Sequence, residues 1–181
     1  MKLFVASDIH GSAFYCEKML NAFYKEKADK LVLLGDILYH GPRNDLPKDY
    51  NPKSVIEMLN KEKEKIICVR GNCDTEVDQM VLEFPVLADY STILTDNCTL
   101  FLSHGHKYSK DNLPPLSPGS IFMYGHTHIP EFKIENDIYF VNPGSISIPK
   151  ENSKNGYILI DEQKFTFKDL SGEVISEHEI I

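Results

Sequence analysis

Residues 2–11 read KLFVASDIHG, an apolar run that stops at a serine and continues directly into Asp8. The apolar run predicts a short buried strand. Residues 12–27 then carry apolar side chains at helical spacing, and Ser12 is the expected N-cap of that helix. Residues 30–35, KLVLLG, predict the next buried strand. A strand, a helix and a second strand in this order favour an α/β fold with a parallel sheet.

The same alternation continues for one more unit and then gives way to short strands. Residues 52–62 predict a second helix with proline in its first turn, and residues 65–71, KIICVRG, predict a third strand. In the second half the apolar runs are short, and a hairpin is expected to turn at residues 136–137. No linker, repeat or low-complexity tract interrupts the sequence. We therefore expect one domain that spans residues 1–181.

The composition is that of an ordinary globular protein, with 42% hydrophobic and 25% charged residues in a chain of 181. The sequence has no run of about 18 apolar residues, so no membrane span is expected. The first residues are too short in apolar length for a secretory signal. The four cysteines have no C-x-x-C spacing, which favours free thiols in a reducing compartment. A cytoplasmic location is therefore expected.

The charge of the chain limits the kind of partner. The formal net charge is −8, and lysine and arginine do not cluster on any one segment. Proteins that hold long nucleic acids usually neutralise the phosphates with a basic stripe. We therefore expect no long nucleic acid as partner. A small anionic substrate is compatible with the sequence if metal cations reverse the local field.

One arrangement recurs at the ends of five predicted strands. Each apolar run closes with serine or glycine, and an aspartate, asparagine or histidine follows at once. The small residue lets the backbone come close to a bulky site. In α/β sheets, ligand sites collect beyond the carboxyl ends of the strands. The five polar residues should therefore converge on one edge of the sheet, and they are Asp8, Asp36, Asn72, His104 and His126.

Two of these residues have a second candidate ligand two positions on, in Asp8-x-His10 and His126-x-His128. In an extended chain, residues i and i+2 point to the same side, so both members of each pair can reach one site. Either pair alone more often marks a turn or a solvated loop, and the prediction depends on all five strand ends together. The full set of candidate metal ligands is Asp8, His10, Asp36, Asn72, His104, His126 and His128.

The number and chemistry of these ligands favour a pair of metal ions. Imidazole nitrogens combined with oxygens suit Mn²⁺, Fe or Zn²⁺ better than Ca²⁺ or Mg²⁺. Seven ligands exceed the four that one tetrahedral zinc ion needs. Two ions about 3.5–4 Å apart would clamp the attacking and leaving oxygens of an in-line displacement at phosphorus. The alternative is a purely structural metal site, which would not need an open coordination sphere.

Five short motifs contain these residues: SDIHG at 7–11, GDI at 35–37, GNCD at 71–74, SHGH at 103–106 and GHTH at 125–128. Together they resemble the motifs of the metallophosphoesterases, the calcineurin-like phosphoesterase superfamily. Two further stretches, LYHGPRN at 38–44 and NPGSISIP at 142–149, are similar to small bacterial phosphodiesterases of the YfcE type. The resemblance extends over nearly the whole chain.

The resemblance implies a four-layer α/β-β/α sandwich, in which two mixed sheets lie face to face with helices outside. It implies two divalent metal ions, with Mn²⁺ preferred and Ni²⁺, Zn²⁺ or Fe as alternatives. A hydroxide that bridges them would attack the phosphorus of a small phosphodiester. It also implies that Asp8, His10 and His128 hold one ion, that Asn72, His104 and His126 hold the other, and that Asp36 bridges both.

Cys73 departs from the pattern of the superfamily. Many members carry histidine after Gly-Asn, where imidazole protonates the leaving oxygen, whereas this chain has cysteine. A thiol is mostly protonated at neutral pH, but it lacks the charge of imidazolium and is the poorer donor. We therefore expect slow turnover except with good leaving groups. The residues expected to take part in catalysis are Asp36, Asn72, Cys73 and His104.

Other residues are candidates for supporting roles. Arg43 and His40, in the irregular stretch 39–51, are the candidates for binding a phosphate oxygen of the substrate. Asp74 is expected to orient a ligand histidine. Residues 142–149 are expected to form a tight turn that braces the ligand loop.

Two other functions are compatible with the same motifs. A phosphomonoesterase or nucleotide phosphatase would use the same metals, but the missing histidine donor makes it the weaker interpretation. A subunit of the eukaryotic retromer complex has this fold and works as a protein-interaction scaffold with an eroded metal site. Here every ligand position carries a competent side chain, which favours catalysis. Relatives form dimers or tetramers, so the resemblance is also compatible with a homo-oligomer.

Overall fold

The computed structural model describes residues 1–95 and 98–180. In these residues the chain forms eleven strands and three helices. In chain order they are β1 (Lys2–Ala6), α1 (Ala13–Glu26), β2 (Lys30–Leu33), α2 (Pro52–Asn60), β3 (Ile66–Cys68), α3 (Glu76–Val81), β4 (Tyr90–Leu94), β5 (Thr99–Ser103), β6 (Ile121–Met123), β7 (Pro130–Glu135), β8 (Ile138–Pro143), β9 (Gly156–Asp161), β10 (Lys164–Asp169) and β11 (Val174–Glu179).

The strands form two mixed sheets. The first has the order β11-β10-β9-β1-β2-β3, in which β1, β2 and β3 are parallel and the other strands pair antiparallel. The second has the order β4-β5-β6-β8-β7, in which β5, β6 and β8 are parallel and the two edge strands are antiparallel. Helices α1 and α2 make the crossovers between β1, β2 and β3, as the sequence predicts.

The apolar side chains lie in three layers. One face of the first sheet packs against α1 and α2, where Phe4 and Phe23 are fully buried. Its other face meets the second sheet, with Val5 and Leu102 in the shared layer. An aromatic cluster lies on the outer face of the second sheet and contains Phe101, Phe122, Tyr124 and Phe140. Tyr108, from the irregular segment between β5 and β6, packs against it. The expected sandwich of two mixed sheets is confirmed. Among the described residues, the aromatic cluster on the outer face of the second sheet contains none from a helix.

Local sequence signals account for several boundaries. The Ser12 side chain accepts a hydrogen bond from the backbone N–H of Tyr15 at 3.3 Å, so the predicted N-cap of α1 is confirmed. Pro52 occupies the first turn of α2, where its missing N–H has no cost. The β7–β8 hairpin turns at Asn136 and Asp137, which have φ values of 50° and 60°. These two residue types tolerate the left-handed conformation, so the predicted turn is confirmed.

Two elements are absent from the predictions made from sequence. Helix α3 has no buried residue, so its sequence carries no apolar periodicity. Strand β4 is an edge strand in which only Ile93 is buried, and it lacks a continuous apolar run for the same reason. Among residues 1–95 and 98–180, no helix is both long and apolar enough to span a bilayer.

Candidate metal centre

Asp8, His10 and His128 form the first group of candidate ligands, and all three are buried. The Nε2 atoms of His10 and His128 lie 3.2 Å apart. Oδ1 of Asp8 lies 3.2 Å from Nε2 of His128 and 3.5 Å from Nε2 of His10. Two imidazole nitrogens that share one tetrahedral ion, each at about 2.0–2.1 Å, are separated by about 3.3 Å. The spacing of this group therefore suits one metal ion.

His104 is the centre of the second group. Its Nε2 lies 3.1 Å from Oδ1 of Asn72 and 3.4 Å from Oδ2 of Asp36. Its ring also contacts the ring of His126, with 5.1 Å between centroids. His104 and Asp36 are buried, His126 is partly buried and Asn72 is exposed. The second group is thus open to solvent on the side of Asn72.

The carboxylate of Asp36 lies between the two groups. Its Oδ2 is 3.4 Å from Nε2 of His104 and 3.7 Å from Nε2 of His10. Its Oδ1 accepts a hydrogen bond of 2.8 Å from the backbone N–H of Cys73, which fixes the orientation of the carboxylate. One oxygen therefore faces both histidine groups, which is the position that a bridging ligand requires.

The histidines present lone pairs to the centre. Nδ1 of His10 lies 2.8 Å from the carbonyl oxygen of Tyr39, and Nδ1 of His128 lies 2.7 Å from that of Ile148. Nδ1 of His104 lies 2.6 Å from the carbonyl oxygen of Leu34. A carbonyl oxygen can only accept, so each Nδ1 carries the proton and each neutral ring leaves Nε2 unprotonated. This is the tautomer that metal-binding histidines adopt.

The centre contains buried carboxylates that attract positive charge. Oδ1 of Asp8 is buried and accepts no hydrogen bond of normal geometry. Burial would raise the pKa of Asp8, but the contacts with His10 and His128 hold that pKa well below its ordinary value. Burial would lower the pKa of His104, but Asp36 and Asp8 raise it to about 9. Without a metal, the carboxylates therefore favour a second proton on the His104 ring, at Nε2. A bound cation would take the place of that proton and satisfy the carboxylates.

The backbone of the ligand loops is strained. Asp8, His10, Asp36, His126 and His128 have φ values of 57°, 51°, 55°, 66° and 63°, in the left-handed region. Residues other than glycine rarely adopt this conformation, and such strain is concentrated at functional sites. Asp8 and His10 lie together, with 3.5 Å between Oδ1 and Nε2. The extended chain expected at the two i and i+2 pairs is wrong. All four paired residues have left-handed backbone conformations instead.

The turn after β8 braces the first group, as predicted. The hydroxyls of Ser145 and Ser147 donate to the carbonyl oxygen of Asp8 at 2.8 and 2.9 Å. The carbonyl of Ile148 binds Nδ1 of His128 at 2.7 Å. Both Asp8 and His128 are therefore fixed by one segment that is distant in sequence.

Asp74 plays a different part from the one expected. Its Oδ2 accepts hydrogen bonds from the backbone N–H groups of Asp36 and Gly71 at 2.8 and 2.7 Å, and its Oδ1 accepts one from Ile37 at 2.9 Å. It does not hydrogen-bond to a histidine side chain, so that prediction is wrong. Three backbone donors surround the carboxylate, and Asp74 thereby joins the loops after β2 and β3.

A cleft of about 460 Å³ opens over the second group and is lined by Asp36, Asn72, Cys73, His126 and His128. Arg43 and Lys150 also line it and supply positive charge at its wall. Lys150 is absent from the candidates drawn from sequence, although it directly follows the bracing turn. His40 is not among the residues that line the cleft, and its ring contacts those of Tyr39 and Tyr50 instead.

The fold and this cluster define a metal-binding phosphoesterase. The Calcineurin-like phosphoesterase superfamily domain matches residues 1–164, and the chain belongs to that superfamily. It is similar to Phosphodiesterase YfcE of Escherichia coli (strain K12), with 46% identity over 175 residues that cover 97% of this chain and 95% of the relative. Phosphodiesterase MJ0936 of Methanocaldococcus jannaschii is 24% identical over 152 residues, or 80% of this chain and 83% of the relative.

Solved structures agree with this assignment. The phosphoesterase YfcE from E. coli superposes with a TM-score of 0.97 at 44% identity and covers 100% of both chains. Vps29 from Entamoeba histolytica superposes with a TM-score of 0.65 at 19% identity, again over 100% of both chains. The second likeness concerns the fold alone.

Proposed function

We propose that this chain is a metal-dependent phosphodiesterase that hydrolyses small phosphodiesters with two divalent ions. The observation that carries the proposal is the carboxylate of Asp36, one oxygen of which faces His10 and His104 at 3.7 and 3.4 Å. The first ion would bind at Asp8, His10 and His128, and the second at Asn72, His104 and His126. When bound, such ions supply an activated water near neutral pH and neutralise the charge that develops on the phosphoryl oxygens.

The residues around the cleft support the remaining steps. Arg43 and Lys150 are placed to bind the non-bridging oxygens of a phosphodiester, for which the guanidinium fork is well shaped. Nδ2 of Asn72 donates to Sγ of Cys73 at 3.3 Å and so holds the thiol at the cleft. Burial, together with Asp36, raises the pKa of Cys73, so the thiol stays protonated and acts as a neutral, weak donor to the leaving oxygen.

Metal removal tests the proposal. Protein stripped with a chelator should lose hydrolysis of bis(p-nitrophenyl) phosphate, and reloading with Mn²⁺, Ni²⁺ or Zn²⁺ should restore it. At a free ion concentration 1,000 times Kd, each bound ion stabilises the fold by about 4 kcal/mol. For a chain of this size, each ion therefore raises Tm by about 8–16 °C. Metal analysis should find two ions per chain.

The same preparations separate the competing functions. The metal-loaded protein should hydrolyse the diester faster than p-nitrophenyl phosphate, which has the same leaving group. Faster hydrolysis of the monoester would instead identify a phosphomonoesterase. Metal binding without hydrolysis of either ester would favour a non-catalytic scaffold.

Replacement of Cys73 by histidine should raise activity toward esters with poor leaving groups. Imidazolium is a stronger donor than a neutral thiol, and general acid catalysis contributes about 10²–10⁴-fold in enzymes. We expect a gain of about tenfold or more on alkyl esters and little change on p-nitrophenyl esters. The measurement is kcat/KM for a series of esters with leaving groups of increasing pKa. Cys73→Ser is the matched control, and an unchanged series for Cys73→His would contradict the assignment.

Three finer features stay predictions. Mn²⁺ is the preferred ion because mixed imidazole and oxygen ligands suit it. A cytoplasmic location agrees with four free cysteines, which persist in reducing compartments. Self-association as a dimer or tetramer is expected from the resemblance to the superfamily.

A further inference from the structure

A second cavity adjoins the metal cleft. Its volume is about 370 Å³, within the range of about 300–1,000 Å³ typical of small-molecule sites. Thr127 lines both this cavity and the cleft, so the two meet at the loop that carries His126 and His128. Gly105 also lines the cavity, and a Cβ built there would lie 3.4 Å from Cβ of His126. The cavity thus begins beside the candidate metal ligands.

The wall of the cavity is apolar on one side and polar on the other. Ile129, Pro130 and Tyr124 supply apolar surface. Lys110 and Glu131 supply an ion pair, in which Nζ of Lys110 lies 2.7 Å from both carboxylate oxygens of Glu131. Such a surface accepts a flat ring that also carries hydrogen-bonding groups at its edge.

The polar wall is held in one arrangement. The hydroxyl of Tyr124 donates to Glu131, and the ammonium of Lys110 lies 5.2 Å from the centroid of the Phe140 ring. The side chains of Lys110 and Glu131 are only 31% and 29% exposed. A carboxylate offers about four acceptor positions and an ammonium three donors. After the two contacts with Lys110 and the hydrogen bond from Tyr124, Glu131 can still accept one hydrogen bond. Lys110 can still donate one.

We propose that this cavity, which we call the Thr127 pocket, binds the retained alcohol of the phosphodiester, and that this alcohol is a nucleoside with an amide-bearing base. The proposal rests on the phosphodiesterase function proposed above. An adjacent N–H and C=O on the base would match the acceptor of Glu131 and the donor of Lys110. Cys73, the proposed donor to the leaving oxygen, lines the metal cleft and not this pocket. The pocket is therefore assigned to the alcohol that stays bonded to phosphorus.

Three substrates with one leaving group test the proposal. They are p-nitrophenyl phosphodiesters whose second alcohol is methanol, phenol or the 5′-hydroxyl of thymidine. In each, water adds to phosphorus, the P–O bond to p-nitrophenolate breaks, and the second alcohol stays in the monoester product. We expect kcat/KM to rise from methyl to phenyl to thymidine, with the thymidine ester at least about tenfold above the methyl ester.

The variant Glu131→Gln tests whether the polar wall of the pocket, formed by Lys110 and Glu131, binds the base. The amide nitrogen of glutamine cannot accept a hydrogen bond, and the charge that holds Lys110 is lost. The variant should lower kcat/KM for the thymidine ester by about tenfold and leave the methyl and phenyl esters within about twofold. Binding of thymidine 5′-monophosphate to metal-loaded protein, measured by calorimetry, should weaken to the same extent.

Glu135→Gln is the matched control. It lies on the same strand and breaks the exposed ion pair between Lys133 and Glu135, outside the pocket. It should leave all three esters unchanged. Equal rates for the three esters in the wild-type protein would overturn the proposal, as would an equal loss on all three in Glu131→Gln. Both of those results leave the phosphodiesterase intact, whereas no hydrolysis of any of the three esters with any metal would overturn the proposed function itself.

Discussion

Asp36→Asn should abolish phosphodiesterase activity and leave the fold intact. Asparagine keeps the shape of the side chain, but it loses the negative charge between the two histidine groups. Oδ2 of Asp36 lies 3.7 Å from Nε2 of His10 and 3.4 Å from Nε2 of His104. Removal of one group that stabilises charge in a transition state costs about 10²–10³-fold in kcat. We expect at least that loss, because Asp36 would also hold both metals.

The backbone at this position makes the substitution a clean test. Asp36 has a φ of 55°, and asparagine tolerates the left-handed conformation as well as aspartate does. Far-UV circular dichroism should therefore be unchanged, and metal analysis should show fewer than two ions per chain. Asp137→Asn is the matched control, because Asp137 has a φ of 60° but lies in the exposed β7–β8 turn. An Asp36→Asn enzyme with full activity would exclude the bridged centre.

Gly71→Ala should destabilise the protein and disrupt the second metal group. A Cβ at Gly71 would lie 2.1 Å from Oδ1 and 2.3 Å from the backbone nitrogen of Asp36. Rotation of the Asp36 side chain cannot relieve the contact with its backbone nitrogen, so the loops after β2 and β3 must separate. Overpacking of this kind costs about 3 kcal/mol or more. The expected fall in Tm is therefore about 6–12 °C for a chain of this size.

Gly119→Ala is the control for Gly71→Ala. It adds backbone strain but does not bring a Cβ against another loop. Gly119 has a φ of 82°, and a Cβ there meets nothing within 4 Å. Its replacement should cost about 1–2 kcal/mol from the left-handed conformation alone. Thermal unfolding and metal analysis should be measured for both variants. Gly119→Ala should keep two ions per chain, and the same result for Gly71→Ala would show that the loops adjust without harm to the site.

Much of the site could be predicted because its chemistry follows local sequence patterns. A buried strand is recognisable as an apolar run, and the polar residue that ends it is read directly from the chain. The carboxyl ends of parallel strands share one edge, so Asp8 and Asp36 could be placed together without coordinates. Residues 142–149 contain asparagine, proline, glycine and serine, which favour tight turns, so the bracing turn after β8 could be predicted too. Elements with at most one buried residue, such as α3 and β4, carry no comparable signal.

Other parts of the site could not be predicted because they depend on contacts between distant segments. Asp74 carries a carboxylate whose partners are backbone N–H groups, and these have no sequence signature. Lys150 reaches the cleft only because the second sheet packs on the first. The Thr127 pocket likewise combines Lys110 with Glu131, which are 21 positions apart in the chain.

The resemblance of the motifs to a superfamily implied the sandwich. The sequence by itself determined an α/β fold with a parallel sheet and the chemical identity of the seven candidate ligands. Those properties depend on residue type and on spacing along single strands, which the chain displays directly. Only the tertiary structure decided that Asp36 lies between the two groups, that the paired ligands have left-handed backbones, and that a second pocket opens beside them. Distances between separate loops follow from the packing of two sheets, and no single segment of the chain contains that information.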